Sequence, residues 1–175
     1  SKLNAEWVGF TLDWYHKLFA NAEMLHAAAN SLLIAVVASA LATVLGTMAG
    51  IAMHRFKSRL LPFMTLTPVA MPEILLGVSL LIFFISVFGE ESLSLLTVIV
   101  AHTTFCIGFV AIIVRARLSG MDESIFEAAR DLGATPWHAF WRVTFPITLS
   151  GAAAGSALVF IPVSGEYLVP HFIGE

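Results

Sequence analysis

The chain has 175 residues, of which 58% are hydrophobic and only 12% are charged, and its mean hydropathy is +0.88. Soluble domains are about 45–50% apolar and about 25% charged, so this composition excludes an ordinary soluble domain and indicates a membrane protein. The formal net charge of -3 argues against nucleic-acid binding, and the single cysteine, Cys106, excludes an internal disulfide and a cysteine-based metal cluster.

Residues 1–21 mix aromatic and charged side chains and do not have the pattern of a secretory signal peptide. Trp7, Phe10, Trp14 and Phe19 supply the aromatic rings. This mixture is typical of a segment at a membrane surface, where amphipathic rings favour the headgroup zone. It is equally typical of an ordinary loop.

Four later segments are long and apolar enough to cross a bilayer core about 30 Å thick, which takes about 20 residues of helix. They cover residues 27–53, 60–88, 93–114 and 146–172. We expect each to be a helix, because a chain in lipid must satisfy its backbone hydrogen bonds internally. The runs also lack the alternation of a membrane barrel. The sequence therefore predicts an all-α fold, a polytopic bundle of transmembrane helices in a single domain over residues 1–175.

The linkers between these segments differ in charge. Residues 54–59 are strongly basic, residues 89–92 contain no basic residue, and residues 115–145 carry four arginines. Basic linkers face the cytoplasm in most membrane proteins. We therefore expect linkers 54–59 and 115–145 to be cytoplasmic and both ends of the chain to lie outside.

Small residues recur at every fourth position of the first segment, and the fourth segment repeats this spacing. The positions are Ala38, Ala42, Gly46 and Gly50, followed by Gly151 and Gly155. Small residues at this spacing let membrane helices approach closely. We interpret both stripes as packing faces and not as functional sites.

Linker 115–145 carries the signals of two short helices. Ser124 and Glu127 have the spacing of a capping box, and Gly133 suits the left-handed conformation that ends a helix. Thr135 followed by Pro136 favours a second helix start. We expect that second helix to cover residues 137–145, to carry large aromatic side chains and to end at the following proline.

A helix–glycine–helix unit outside the bilayer is typical of a docking element for a soluble partner. One alternative is an interfacial connector whose aromatic rings dip into lipid. Another is a helix-turn-helix that binds DNA, which the balanced charge and tight tethering of this linker disfavour.

The same linker resembles the EAA loop of the permease subunits of binding-protein-dependent ABC importers. That pattern is Glu-Ala-Ala, three residues, Gly, nine residues, an Ile-like residue, one residue, a Leu-like residue and Pro. It falls here on Glu127, Ala128, Ala129, Gly133 and Pro146, with Val143 and Phe145 at the two apolar positions. The resemblance implies that the loop docks into a cleft on a cassette ATPase subunit and transmits the closure of that subunit to the membrane helices.

The resemblance covers essentially the whole chain and is closest to polyamine (spermidine and putrescine) permeases. Related permeases for iron, opines or amino-acid-like solutes share most of these features. It implies a transport subunit of the bacterial inner membrane, with a second permease subunit and a periplasmic solute-binding protein as further partners. Family members carry about six helices, so we expect this four-helix chain to be a fragment that lacks one helix at each end.

We expect no enzymatic activity and no cofactor on this chain. The sequence has no Gly-x-x-x-x-Gly-Lys-[Ser/Thr] phosphate loop, so ATP and Mg would be bound by the partner ATPase. An intramembrane enzyme is the rival class. The sequence has neither a Gly-x-Ser-x-Gly turn nor a His-Glu-x-x-His motif to support it.

Two acidic residues fall inside the predicted membrane segments, Glu73 beside Pro72 and Glu166 beside Gly165. Charges in a bilayer are costly and mark solute pathways, so both are candidates for a path that takes a cationic solute. The alternative for Glu73 is an ion pair with a cytoplasmic arginine near a helix end. The alternative for Glu166 is a place in an outer loop.

Overall fold

The computed structural model of the chain describes residues 11–56, 58–122 and 124–165, and every regular element in these ranges is helical. The helices are α1 Asp13–Ala20, α2 Ala22–Arg55, α3 Leu60–Ala70, α4 Glu73–Phe88, α5 Leu95–Ser119, α6 Ser124–Asp131, α7 Pro136–Ala139 and α8 Phe145–Gly165. Glu90–Ser92 forms a 3₁₀ turn and Phe140–Thr144 forms one turn of π-helix. The predicted all-α fold is confirmed.

Three helical stretches are long and apolar enough to cross a membrane: α2, α5 and the stretch Pro136–Gly165 that ends in α8. The pair α3 and α4 makes a fourth span if both helices are counted together. The first helix is longer than predicted, because α2 has 34 residues and therefore measures about 51 Å at 1.5 Å per residue. It exceeds a bilayer core by several helical turns.

Helix α5 lies at the centre of the bundle and is the most buried of the three long stretches. Gly46 of α2 and Gly155 of α8 pack against Val110 of α5 from two sides. A Cβ added at Gly46 would lie 2.6 Å from the Val110 Cβ, and one added at Gly155 would lie 3.2 Å from the Val110 Cα. The two stripes of small residues are thus confirmed as packing faces that let three helices approach closely.

The predicted membrane segment 60–88 consists of two helices, not of one. Helices α3 and α4 meet at an angle of 106°. At the break, Met71 has an extended backbone with φ -85° and ψ 141°. Pro72 follows it, and a proline disfavours the helical conformation of the residue before it. The bend therefore lies at a dipeptide whose local sterics disfavour a continuous helix.

The third helix extends beyond the predicted membrane segment 93–114, because α5 continues to Ser119. Arginine is a good helix former, so Arg115 and Arg117 extend the helix instead of beginning a loop. The connection between α5 and α8 is consequently shorter than the predicted linker 115–145.

Candidate functional site

An aspartate precedes helix α6, the first element of the connection between α5 and α8, and accepts a hydrogen bond from the first residue of that helix. The backbone N–H of Ser124 donates a hydrogen bond to Oδ1 of Asp122 at 2.9 Å. This backbone bond, together with a side-chain bond from Ser124, lowers the pKa of the exposed Asp122 carboxyl below its ordinary value. The arrangement differs from the predicted capping box, because Ser124 lies inside the helix and Asp122 supplies the accepting side chain.

The end of α6 has the hydrogen bonds of a Schellman motif. The N–H of Ala134 donates to the carbonyl oxygen of Ala129 at 3.0 Å, and that of Gly133 donates to Arg130 at 2.9 Å. Gly133 has φ +85°, a conformation that residues with a Cβ rarely adopt. The sequence-predicted residues Ala129 and Gly133 are thus parts of one turn, and the predicted glycine stop is confirmed.

Helix α7 begins with the predicted threonine cap. The N–H of His138 donates to Oγ1 of Thr135 at 3.3 Å, and Pro136 occupies the first turn of the helix. Proline fits there because its missing N–H would have no partner within the helix. The turn between α6 and α7 is therefore fixed by hydrogen bonds at both ends.

The prediction that Pro146 ends the second short helix is wrong. Helix α7 continues through the π turn into α8, so that Pro136–Gly165 forms one stretch of 30 residues. The N–H of Phe145 donates to the carbonyl oxygen of Phe140, five residues earlier, which widens the helix just before the proline. A widened turn accommodates a ring that would otherwise clash with the preceding turn. Pro146 therefore lies within the continuous helix that links the short helix α7 to the membrane helix α8.

Large apolar side chains are exposed on this helix–glycine–helix unit. Leu132, at the turn, is 90% exposed, and Trp137 of α7 is 67% exposed. Trp137 and Trp141 pack edge to face with ring centroids 5.5 Å apart. Exposed aromatic and aliphatic side chains held by a rigid turn are typical of a protein-docking surface.

A polar depression of about 570 Å³ lies between α6 and α7. It is lined by Glu127, Arg130, Asp131, Gly133, Ala134, Thr135 and Pro136. The structure therefore brings Glu127 and Gly133 to one surface. Ala128 is exposed on the same helix, whereas Pro146 does not line the depression.

The two helices that carry this unit are joined at its base. Nε of Arg117, near the end of α5, donates to Oγ of Ser150 in α8 at 3.1 Å. One residue further, a Cβ added at Gly151 would lie 3.3 Å from the Arg117 Cβ. The spacing of small residues predicts Gly151 as a packing residue, but the hydrogen bond could not be predicted while Arg117 belonged to the predicted linker 115–145.

A second candidate site is a cavity of about 210 Å³ between α4, α5 and α8. Glu73, the first residue of α4, lines it together with Leu76, Ala101, His102, Phe105, Cys106, Phe109, Leu158, Val159, Pro162 and Val163. The bend at Pro72 is what places Glu73 at this cavity. The other predicted acid, Glu166, lies outside the described residues.

His102 was not assigned to the cavity from the sequence. It is 3% exposed, and its Nδ1 lies 2.9 Å from the carbonyl oxygen of Val98 in the same helix. Helical spacing from Cys106, four residues later, could have placed both side chains on one face. The cavity thus combines a largely apolar wall with one carboxylate and one imidazole.

Residues 42–175 match the model of the family described as "Binding-protein-dependent transport system inner membrane component". The chain is 35% identical over 181 residues to the putrescine transport system permease protein PotI of Escherichia coli. It is 34% identical over 176 residues to the spermidine/putrescine transport system permease protein PotC of the same species. These alignments cover 99% of the chain but only 64% and 66% of the two relatives, so the chain spans less than two thirds of their length.

Proposed function

The chain belongs to the family of binding-protein-dependent transport system inner membrane components, and we propose that it is the permease subunit of an ATP-driven polyamine importer. It is a multi-pass protein of the inner membrane. The observation that carries the proposal is the helix–glycine–helix unit, which is continuous with α8 and presents exposed apolar side chains. Putrescine and spermidine are the proposed cargo, because the relatives are putrescine and spermidine/putrescine permeases.

In this proposal the unit docks on a cassette ATPase. Leu132 and Trp137 are the apolar anchors, and Glu127 and Ala128 lie on the exposed face of α6. Ala129 and Gly133 hold the turn in shape through the Schellman hydrogen bonds. Pro146, after the π turn, carries the movement into α8.

Further partners follow from the same proposal. ATP and Mg are bound by the ATPase, and this chain supplies docking and the membrane path. A second permease subunit completes the path, and a periplasmic solute-binding protein delivers the cargo. The chain is a transport component and not an enzyme.

The cavity beside α4 suits an organic cation with a methylene backbone. Its wall is mainly apolar, and Glu73 supplies a negative charge at the bend. A cation that leaves water loses several kcal/mol of hydration unless an opposite charge compensates it. Glu73 and, from the sequence, Glu166 are the residues that we propose for this compensation.

The coupling proposal is tested by changing Gly133 in the full-length permease, assembled with its partners in proteoliposomes. No atom of this chain lies within 4 Å of a Cβ added at Gly133, so Gly133→Val affects the chain itself through backbone strain, which costs about 1–2 kcal/mol in the left-handed region. Gly133→Asn is the matched control, because asparagine tolerates that region. We expect Gly133→Val to assemble poorly with the ATPase or to lose transport. Normal transport by this variant would refute the coupling role.

The cargo proposal is tested with Glu73→Gln and Glu166→Gln, which keep the side-chain shape and remove the charge. We expect uptake of putrescine to fall by about tenfold or more, because the lost charge compensation is worth more than a factor of ten, while assembly with the ATPase and basal ATP hydrolysis persist. Unchanged uptake in both variants would refute the electrostatic path and leave the coupling proposal intact.

A further inference from the structure

A basic cleft of about 610 Å³ lies where three helices end or begin: the end of α2, the start of α3 and the end of α5. Its lining residues are Met53, His54, Phe56, Ser58, Arg59, Pro62, Arg115 and Ser119. None of these described lining residues is acidic. The cleft is separate from the docking unit and from the cavity beside α4.

The side chains in the cleft have the chemistry of an anion site. Arg59 and Arg115 carry permanent positive charge and planar donors that suit phosphate oxygens. The hydroxyl groups of Ser58 and Ser119 are neutral donors in the same cleft. An anion in the cleft would be attracted to both guanidinium groups, so the arrangement favours a bound anion.

The first turn of α3 adds a further positive contribution. Helix α3 has 11 residues and begins at Leu60, directly after Arg59. The Leu60 N–H donates to Oγ of Ser58 at 3.2 Å, so this hydroxyl is held at the positive end of the helix dipole. The helix dipole and the two arginines therefore both attract an anion to the cleft.

The surroundings of the cleft favour a lipid over a small soluble anion. The cleft lies at the ends of membrane-spanning helices, where headgroups lie, and Met53 and Pro62 give it apolar walls. Phe56, which lines the cleft, is 58% exposed, so apolar surface is available to acyl chains. Basic pockets between membrane helices bind anionic headgroups by the same combination.

We propose that this cleft binds the headgroup of an anionic glycerophospholipid, with its phosphate between Arg59 and Arg115. The proposal does not depend on the transport function, because lipid binding is measured without cargo or ATP.

The test uses the full-length permease in its complex, purified in detergent, with lipid retention measured by native mass spectrometry. Dioleoyl-phosphatidylglycerol is the anionic probe and dioleoyl-phosphatidylcholine the neutral one. We expect Arg59→Gln combined with Arg115→Gln to weaken retention of the anionic probe roughly 30-fold, on the scale of two basic residues near a lipid surface. Retention of the neutral probe should not change.

The control combines Lys17→Gln with Arg142→Gln, which removes the same charge at positions that do not line the cleft, and it should keep the preference for the anionic probe. Arg59→Lys with Arg115→Lys should keep most of it and serves if the glutamine variant does not fold. An unchanged preference in the glutamine variant, or an equal loss in the control, would overturn the proposal. Displacement of the anionic probe by millimolar inorganic phosphate would make the cleft a site for soluble phosphate and would overturn the lipid assignment.

Discussion

Replacing Gly46 with alanine tests the close packing of α2 on α5. The added Cβ would lie 2.6 Å from the Val110 Cβ and 2.8 Å from the carbonyl oxygen of Ile107. Carbon atoms in ordinary contact lie about 3.5–4.0 Å apart, so the two helices would have to separate locally by about 1 Å. Because both obstructing atoms are fixed to the helix backbone, no side-chain rotation can relieve the clash.

The expected magnitude follows from two opposing effects. Overpacking of this kind costs about 1–3 kcal/mol, and alanine gains about 1 kcal/mol over glycine in a helix. We therefore expect Gly46→Ala to lower the free energy of unfolding by about 1 kcal/mol. Gly155→Ala, whose Cβ would lie 3.2 Å from the nearest atom, should be nearly neutral.

The assay is unfolding of the full-length permease in mixed micelles by titration with SDS, followed by circular dichroism. Gly165→Ala is the control, because nothing lies within 4 Å of the added Cβ. If Gly46→Ala proves as stable as Gly155→Ala, the inferred close approach of α2 and α5 is wrong.

Three further predictions concern the connection between α5 and α8 and its orientation. Ser150→Ala removes the hydrogen bond to α5 and should lower the free energy of unfolding by about 0.5–1 kcal/mol in the SDS titration. Ser164→Ala should not, because the hydrogen bond that the described residues give its hydroxyl goes to the carbonyl oxygen of Ile161 within α8. The pKa of the Asp122 carboxyl should lie below its ordinary value of 3.8. The stabilisation that the ionised carboxylate gives to the start of α6 is therefore complete above pH 3.8 and is lost as the pH falls through the lowered pKa. A carbon-13 NMR midpoint at or above 3.8 would contradict this. Cysteines at Ser119 and Glu91 should react with impermeant thiol reagents from opposite sides of the membrane, and labelling from the same side would refute the predicted topology.

Features governed by local backbone chemistry were predictable from the sequence. Gly133 and Thr135 have roles set by the few residues around them, and the structure has both as predicted. The small-residue stripe through Gly46 was predictable because its spacing matches the helical period. Its partner Val110 was not, since nothing in the sequence of α2 specifies which helix packs on it.

The sequence could not predict which of its several prolines would interrupt a helix. Pro68 lies inside α3 without ending it, whereas Pro72 accompanies a bend of 106°. Pro146, in turn, lies in a helix that continues through it. The effect of each proline depends on whether the neighbouring turns can widen or find other hydrogen-bond partners, and that is decided by tertiary packing. The hydrogen bond between Arg117 and Ser150 also depends on tertiary packing, because it joins residues 33 positions apart. It could not be predicted from the sequence.

The position of Val110 between two glycines also limits how this bundle can diverge. Packed cores tolerate changes that conserve total volume best, so a larger residue on one side of a contact is accommodated by a smaller one on the other. Here both facing positions, Gly46 and Gly155, already hold the smallest residue. Neither helix can therefore make room for a larger side chain at position 110 without moving its backbone. Substitutions of Val110 are consequently restricted to residues of equal or smaller volume.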